Sequence, residues 1–199
     1  MRLKRKKVFG VGVNDSESTV SHVTNGKSYT CKYYVIWQDM LRRCYSEKCQ
    51  KRHPTYVGCS VDPEWHIFSN FRSWAETKNT KGMQLDKDIL FPGNKVYSPE
   101  SCVFVTGALN KFLNNSARKR GQFLIGVSLC KRSNKFRSHC NDPFKSKKEY
   151  LGLFESETEA HEAWRSRKQQ HAISYANMQT DRRVSEALKK MFLPKELMQ

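Results

Sequence analysis

The stretch from Gln122 to Tyr175 constrains the chain most, because its alternation of strand-like and helix-like segments admits few arrangements. Gln122-Phe-Leu-Ile-Gly-Val-Ser-Leu-Cys130 reads as a strand, Lys131-Arg-Ser-Asn134 as a turn, and Lys135-Phe-Arg-Ser-His-Cys140 as a second strand. A third apolar segment, Tyr150-Leu-Gly-Leu-Phe154, leads into a helix. Ser156 and Glu159 make an S-x-x-E capping box, in which the hydroxyl satisfies an orphan backbone N–H and the carboxylate reaches back to the chain entering the helix. Ala160, Ala163, Trp164, Arg167, His171, Ala172 and Tyr175 then recur at helical spacing. The small residues at 160 and 163 let that helix lie close on a sheet. The expected fold class is α+β, with a three-stranded antiparallel sheet packed on one helix.

Charge gives this unit a direction. From Lys111 to Lys148 there are eleven Lys and Arg against one acid, Asp142. Arg118, Lys119 and Arg120 precede the sheet, and Lys131, Arg132, Lys135 and Arg137 cluster on its hairpin. The acids Glu155, Glu157, Glu159 and Glu162 gather on the helix instead. One face therefore attracts phosphate and the other repels it. The whole chain carries a formal net charge of +17, which makes a polyanion the natural partner. A merely solubilising surface is the plain alternative, and the segregation of charge argues against it.

Two classes are excluded at this level. No apolar run approaches the roughly eighteen residues of a membrane-spanning helix. Met1-Arg-Leu-Lys-Arg-Lys-Lys7 is basic but lacks the following apolar segment of a secretory signal, and reads as a phosphate-binding arm or a localisation signal. The seven cysteines form no paired framework, which points to free thiols in a reducing cytoplasm.

The rest of the chain divides into an arm over 1–30, a module over 31–117, the sheet-and-helix unit over 118–177 and a terminal helix within 178–199. In the arm, Val8–Val13 is a strand candidate and Asn14–Ser28 reads as a loop. Tyr33–Tyr45 reads as a helix with Trp37, Met40, Leu41 and Cys44 on one face. Tyr56–Val61 is a short strand candidate. Asp62, Pro63 and Glu64 start a second helix carrying Trp65, Ile67, Phe68, Phe71 and Trp74. After Gln84–Leu90 come a Phe91-Pro-Gly-Asn94 turn, a strand at Cys102–Val105 and a helix through Leu109, Phe112 and Leu113. The cationic Asn115–Gly121 stretch marks the boundary, and Asp181–Phe192 is amphipathic through Val184, Ala187, Leu188 and Met191.

The order Gly126-Val127-Ser128, Lys135-Phe136-Arg137, Tyr150-Leu-Gly-Leu-Phe154 and Ser156 to Ala163-Trp164 resembles the plant ethylene-response-factor (Apetala-type) DNA-binding domain. In that family a three-stranded antiparallel sheet enters the major groove of double-stranded DNA, backed by one helix. The resemblance implies base or phosphate contacts from Arg132, Lys135 and Arg137 with Lys131 in support, and Arg118, Lys119 and Arg120 belong to the same cationic surface. Arg reads guanine bidentately, whereas Lys more often neutralises phosphate. The strands here carry fewer Arg and Trp than the family, which bears on sequence specificity rather than affinity.

Residues 85–114 resemble the His-Asn-His (HNH) nuclease motif of phage and intron homing endonucleases, a ββα unit often found beside an Apetala-type domain. Leu85-Asp86 matches its Asp position, and Val105-Thr106 through Asn110 matches its end. The resemblance implies that Asp86 and Asn110 hold Mg2+ or Mn2+ on a phosphate oxygen while a base deprotonates water. Lys87 stands where that family has its His, Ser101 falls near the place of the central Asn, and Asp88 adds a substitute carboxylate. The catalytic candidates are thus Asp86, Lys87, Asp88 and Asn110, and His53 and His66 are the nearest histidines able to supply a base. Three readings stay open: a variant metal-dependent endonuclease, a nuclease-derived DNA-binding, regulatory or host-inhibiting protein without cleavage, and a structural role for Asp86, Asp88 and Asn110, since Asp and Asn often cap their own turns. If phage-encoded, the protein works in the host cytoplasm. Cys44, Cys49, His53 and Cys59 lack the C-x-x-C spacing of a zinc site, so buried free thiols are expected rather than a structural Zn2+.

Overall fold

A computed structural model describes residues 6–114 and 122–193. The chain forms a mixed α+β structure in two compact units, Met1–Thr106 and Gly107–Gln199. The division falls between Thr106 and Gly107, ahead of the cationic stretch where the sequence reading places it. The helix of 107–113 falls in the second unit, where its Phe112 lies 5.0 Å from the Tyr175 ring.

The first unit is organised by α1 (Lys32–Tyr45), whose buried residues are Trp37, Met40, Leu41 and Cys44, one face of a 3.6-residue repeat. The Trp37 indole N–H donates to the Trp65 carbonyl at 2.6 Å, so the largest buried ring leaves no polar atom unsatisfied. Phe68, Phe71 and Ala75 of α3 (Phe68–Glu76) close the same core. Ahead of α1 lies the hairpin β1 (Ser21–Thr24) and β2 (Lys27–Thr30), where the sequence pattern implies a loop as far as Ser28. Asn25 and Gly26 turn it with φ of 51° and 71°, the paired positive angles of a two-residue hairpin. Val8, Phe9 and Val11 pack against the core after a tight Val8–Gly12 turn, so this part of the arm is folded in rather than extended.

Short α2 (Glu47–Arg52) and a 3-10 turn at Pro54–Tyr56 lead to β3 (Ser60–Val61), which replaces the longer strand expected there. The helix expected to run on from Asp62 is split. Asp62 does cap a first turn, Pro63–His66, but Ile67 is extended and pairs with Val13. Val13 takes the His66 carbonyl and gives its own to Phe68. Asp15 then caps α3, its two carboxylate oxygens accepting the Ser69 N–H at 3.0 Å and the Ser69 hydroxyl at 2.5 Å. A partner 54 residues away decides this break. β4 (Met83–Asp86) pairs antiparallel with β6 (Val103–Thr106), and β5 (Val96–Tyr97) pairs parallel with β3.

In the second unit, α4 (Gly107–Leu113) precedes β7 (Val127–Cys130), β8 (Lys135–Asp142) and β9 (Lys147–Phe154), an antiparallel sheet ordered 7-8-9. β7 is shorter than the sequence implies, because Gly126 adopts a φ of 85° and ends the strand. α5 (Glu157–Asn177) lies across the sheet, and the Ser156–Glu159 capping box forms as expected. Its buried residues include Ala160, Trp164, His171, Ala172 and Tyr175. Glu149 of β9 accepts a bidentate pair from Arg167 of α5 at 2.6 and 2.8 Å, tying sheet to helix. A β-bulge between Ser138 and His139 leaves Leu151 of β9 unpaired in the register. The amphipathic α6 (Arg182–Lys190), capped by Asp181, buries Val184 and Leu188 against α5. No helix among the described residues is long and apolar enough to cross a membrane.

Candidate nucleic-acid interface

Strand alternation sorts β8 into two faces. Ser138, Cys140 and Asp142 are buried under α5. Lys135, Arg137, His139 and Asn141 occupy the opposite, open face. The register adds Lys148 opposite Asn141, Tyr150 opposite His139, and Leu153 and Ser128 opposite Arg137. Tyr150 and Leu153 are exposed, and the Tyr150 ring lies 5.5 Å from His139. Burial pushes the His139 imidazole below its ordinary value, and the positive charges of Lys148 and Arg137 push the same way. These three basic side chains therefore share one field.

At the hairpin end, Lys131 and Arg132 are exposed, and Asn134 closes the turn at a φ of 53°. Arg137 donates to the Cys130 sulfur at 3.2 Å. Hydrogen bonds from Ser133, aided by Arg137, draw the Cys130 thiol down to about 7. Lys135, the first residue of the central strand, is ion-paired with Glu155 just past the end of β9, so it is the least available of the cations. Arg118, Lys119 and Arg120 lie outside the described residues. Of the candidates read from sequence, Lys131, Arg132, Lys135 and Arg137 all lie on or beside the open face. His139, Lys148 and Tyr150 were missed. The alternation of β8 carried the signal for His139, whereas the bulge hid the other two.

The nuclease candidates are arranged differently. Asp86 ends β4, and its Oδ1 accepts the backbone N–H groups of Asp88 and Ile89, each at 2.8 Å. That is a self-capping turn. Burial raises the Asp86 carboxyl above its usual range, against the pull of those two amides. Lys87 is buried, its ammonium donating to the Asn94 carbonyl at 2.5 Å and to Asp88 at 2.7 Å, 5.8 Å from the centre of the Tyr97 ring. Asn94 returns hydrogen bonds to the carbonyls of Lys87 and Val96. Lys87 thus clamps the loop from 87 to 96.

Asn110 lies on α4, in the other compact unit from Asp86. Ser101 caps its own turn through Ser98 and the Val96 carbonyl. His66 shares a hydrogen bond with the Tyr45 hydroxyl at 3.1 Å, and the His53 ring lies 6.2 Å from Tyr56. Among the described residues no group of three or more His, Cys, Asp or Glu is arranged to hold a metal ion. The residues present fit Mg2+ or Mn2+ poorly, since Oδ1 of Asp86 is already committed to two amides and Asp88 is paired with a buried ammonium. Of the cysteines weighed for zinc, Cys44 is buried and pushed up to about 12, while Cys49 lies 3.7 Å from an Arg42 nitrogen.

Compared with protein-family models, curated proteins and solved structures, the chain matches none.

Proposed function

We propose that the protein binds double-stranded DNA through the open face of β7–β8–β9 and does not cut it. The observation that carries this reading is the segregation along β8 and β9: Arg137, His139, Lys148 and exposed Tyr150 share the face that no element covers among the described residues. The acid of β9, Glu149, is turned inward to Arg167. A sheet of this kind places cations on phosphates, with Arg137 the group best suited to a base edge.

Fluorescence anisotropy on a labelled duplex tests it. If Lys131, Arg132, Lys135, Arg137 and Lys148 each neutralise one phosphate, log Kd rises with log salt with a slope of about 4 to 5. Arg137→Glu with Lys148→Glu should weaken binding at least tenfold and lower the slope by about 2. Equal affinity and slope in the variant would refute the assignment.

One observation favours the endonuclease as a second reading: β4 and β6 pair antiparallel and α4 follows β6 directly, a ββα succession. Incubation of wild type and Asp86→Ala with supercoiled plasmid and Mg2+ or Mn2+ separates the two. Nicking lost in the variant supports cleavage, and a retained duplex shift without nicking supports binding alone.

A further inference from the structure

The second unit holds a cleft of about 570 Å³ beside the sheet, which shares only Asn141 and Lys148 with the open face. α4 contributes Lys111 and Phe112, the end of the β8–β9 hairpin contributes Lys147 and Lys148, and α5 contributes Lys168 and Tyr175. Four lysines from three elements thus line one concavity, Lys147 and Lys148 reaching it from opposite faces of their strand. Among the described residues none of the four is in an ion pair. The acid in the lining is Asp142, which is buried and has its Oδ1 on the backbone N–H groups of Phe144 and Lys145. It caps the hairpin, its Oδ2 lies 3.9 Å from the Lys145 ammonium, and its single charge leaves the four lysines in excess.

Lys168 shows the imbalance most directly. Its ammonium donates to the Phe112 carbonyl at 2.6 Å and sits 3.7 Å from the centre of the Phe112 ring. Burial draws it down to about 8. A charge held dry, with a carbonyl and a ring for company, gains most from an arriving anion. Beside it, Phe112 and Tyr175, 5.0 Å apart, give the cleft an aromatic wall.

We propose that this cleft binds a nucleotide, its phosphate on Lys111, Lys147 and Lys168 and its base or sugar against the Phe112–Tyr175 wall. The volume lies in the range of small-molecule sites, about 300 to 1,000 Å³. Phe112 and Tyr175 are each only 6% exposed and offer the cleft ring edges rather than open faces, so the ligand that suits it carries a phosphate and a flat apolar part that packs edge-on. The nucleotide is either a free mononucleotide or one unit of a single strand. Asn141 and Lys148 lie on both the cleft and the open face of the sheet, so a strand could pass from one to the other.

The full chain is titrated with dAMP, with inorganic phosphate and with a short single-stranded oligonucleotide, read by calorimetry. Lys111→Glu with Lys147→Glu is the test variant. Lys51→Glu with Lys81→Glu, two exposed positions of the first unit, is the charge-matched control. Circular dichroism melts confirm that each variant folds. Binding of dAMP at least tenfold tighter than phosphate, lost tenfold or more in the test variant only, supports a free-nucleotide site. The same loss with the oligonucleotide alone supports a strand unit. Phosphate bound as tightly as dAMP, an equal loss in the control, or no binding of any probe would overturn the proposal.

Discussion

Replacing Gly126 with Ala should uncouple α5 from the sheet. The position has a φ of 85°, and a Cβ built there would lie 2.2 Å from Cγ, 2.3 Å from Cδ1 and 2.6 Å from Cβ of Trp164. The ring atoms Cγ and Cδ1 can swing away, but Cβ is fixed to the α5 backbone, so no side-chain rotation relieves the 2.6 Å contact. Either α5 or the entrance to β7 must move. A side chain in the left-handed region costs about 1 kcal/mol, and overpacking of a tight contact adds about 1–3 kcal/mol. The total is about 2–4 kcal/mol, which lowers the melting temperature of a unit this size by roughly 10–25 °C. Gly58→Ala is the control, because its φ of 75° carries the same backbone cost with nothing within 4 Å of the added carbon. Differential scanning calorimetry of the full chain should show a transition shifted much further by Gly126→Ala than by Gly58→Ala. Duplex affinity should fall above the new transition. If both variants melt within a few degrees of each other, the packing argument fails.

Further outcomes concern electrostatics and capping. The Glu149 carboxyl is held down at about 2 by the Arg167 hydrogen bonds, against an ordinary value of 4.5. Its contribution is therefore complete above about pH 4.5 and disappears as pH falls towards 2, so urea midpoints of wild type and Glu149→Gln should converge across that window. A constant gap down to pH 2 would refute the pairing. Asp15→Ala removes the remote cap of α3 and should cost about 1 kcal/mol in urea unfolding, with duplex binding unchanged. An unaltered midpoint would mean that Ser69 finds another partner.

Local signals carried a good part of this structure. The apolar spacing of α1, the Ser156–Glu159 box and the apolar spacing of α6 each concern residues within a few turns of one another, and each forms where the spacing puts it. The β1–β2 hairpin was also legible, in Asn25-Gly26, but the polar residues around that pair gave no buried face to support it. The break at Ile67 was not legible, because nothing within the helical pattern announces a bridge to Val13. Lys87 misled for a related reason. A lysine is read as exposed or reactive, and only the returning loop at Asn94 shows that its ammonium has an interior carbonyl to hold. The lysine cleft draws on residues spread from 108 to 175, beyond any motif window.

The extra residue at Leu151 has a consequence for how this chain is compared with others. Counting back by twos from Phe154 would place Tyr150 and Lys148 beneath the helix, whereas the bulge carries both to the outside. An ungapped comparison with a regular three-stranded relative therefore inverts the first half of β9 and scores its surface positions as interior ones. A single-residue gap at 151 restores the parity. Deleting Leu151 should leave every side chain of the strand on the face it now occupies.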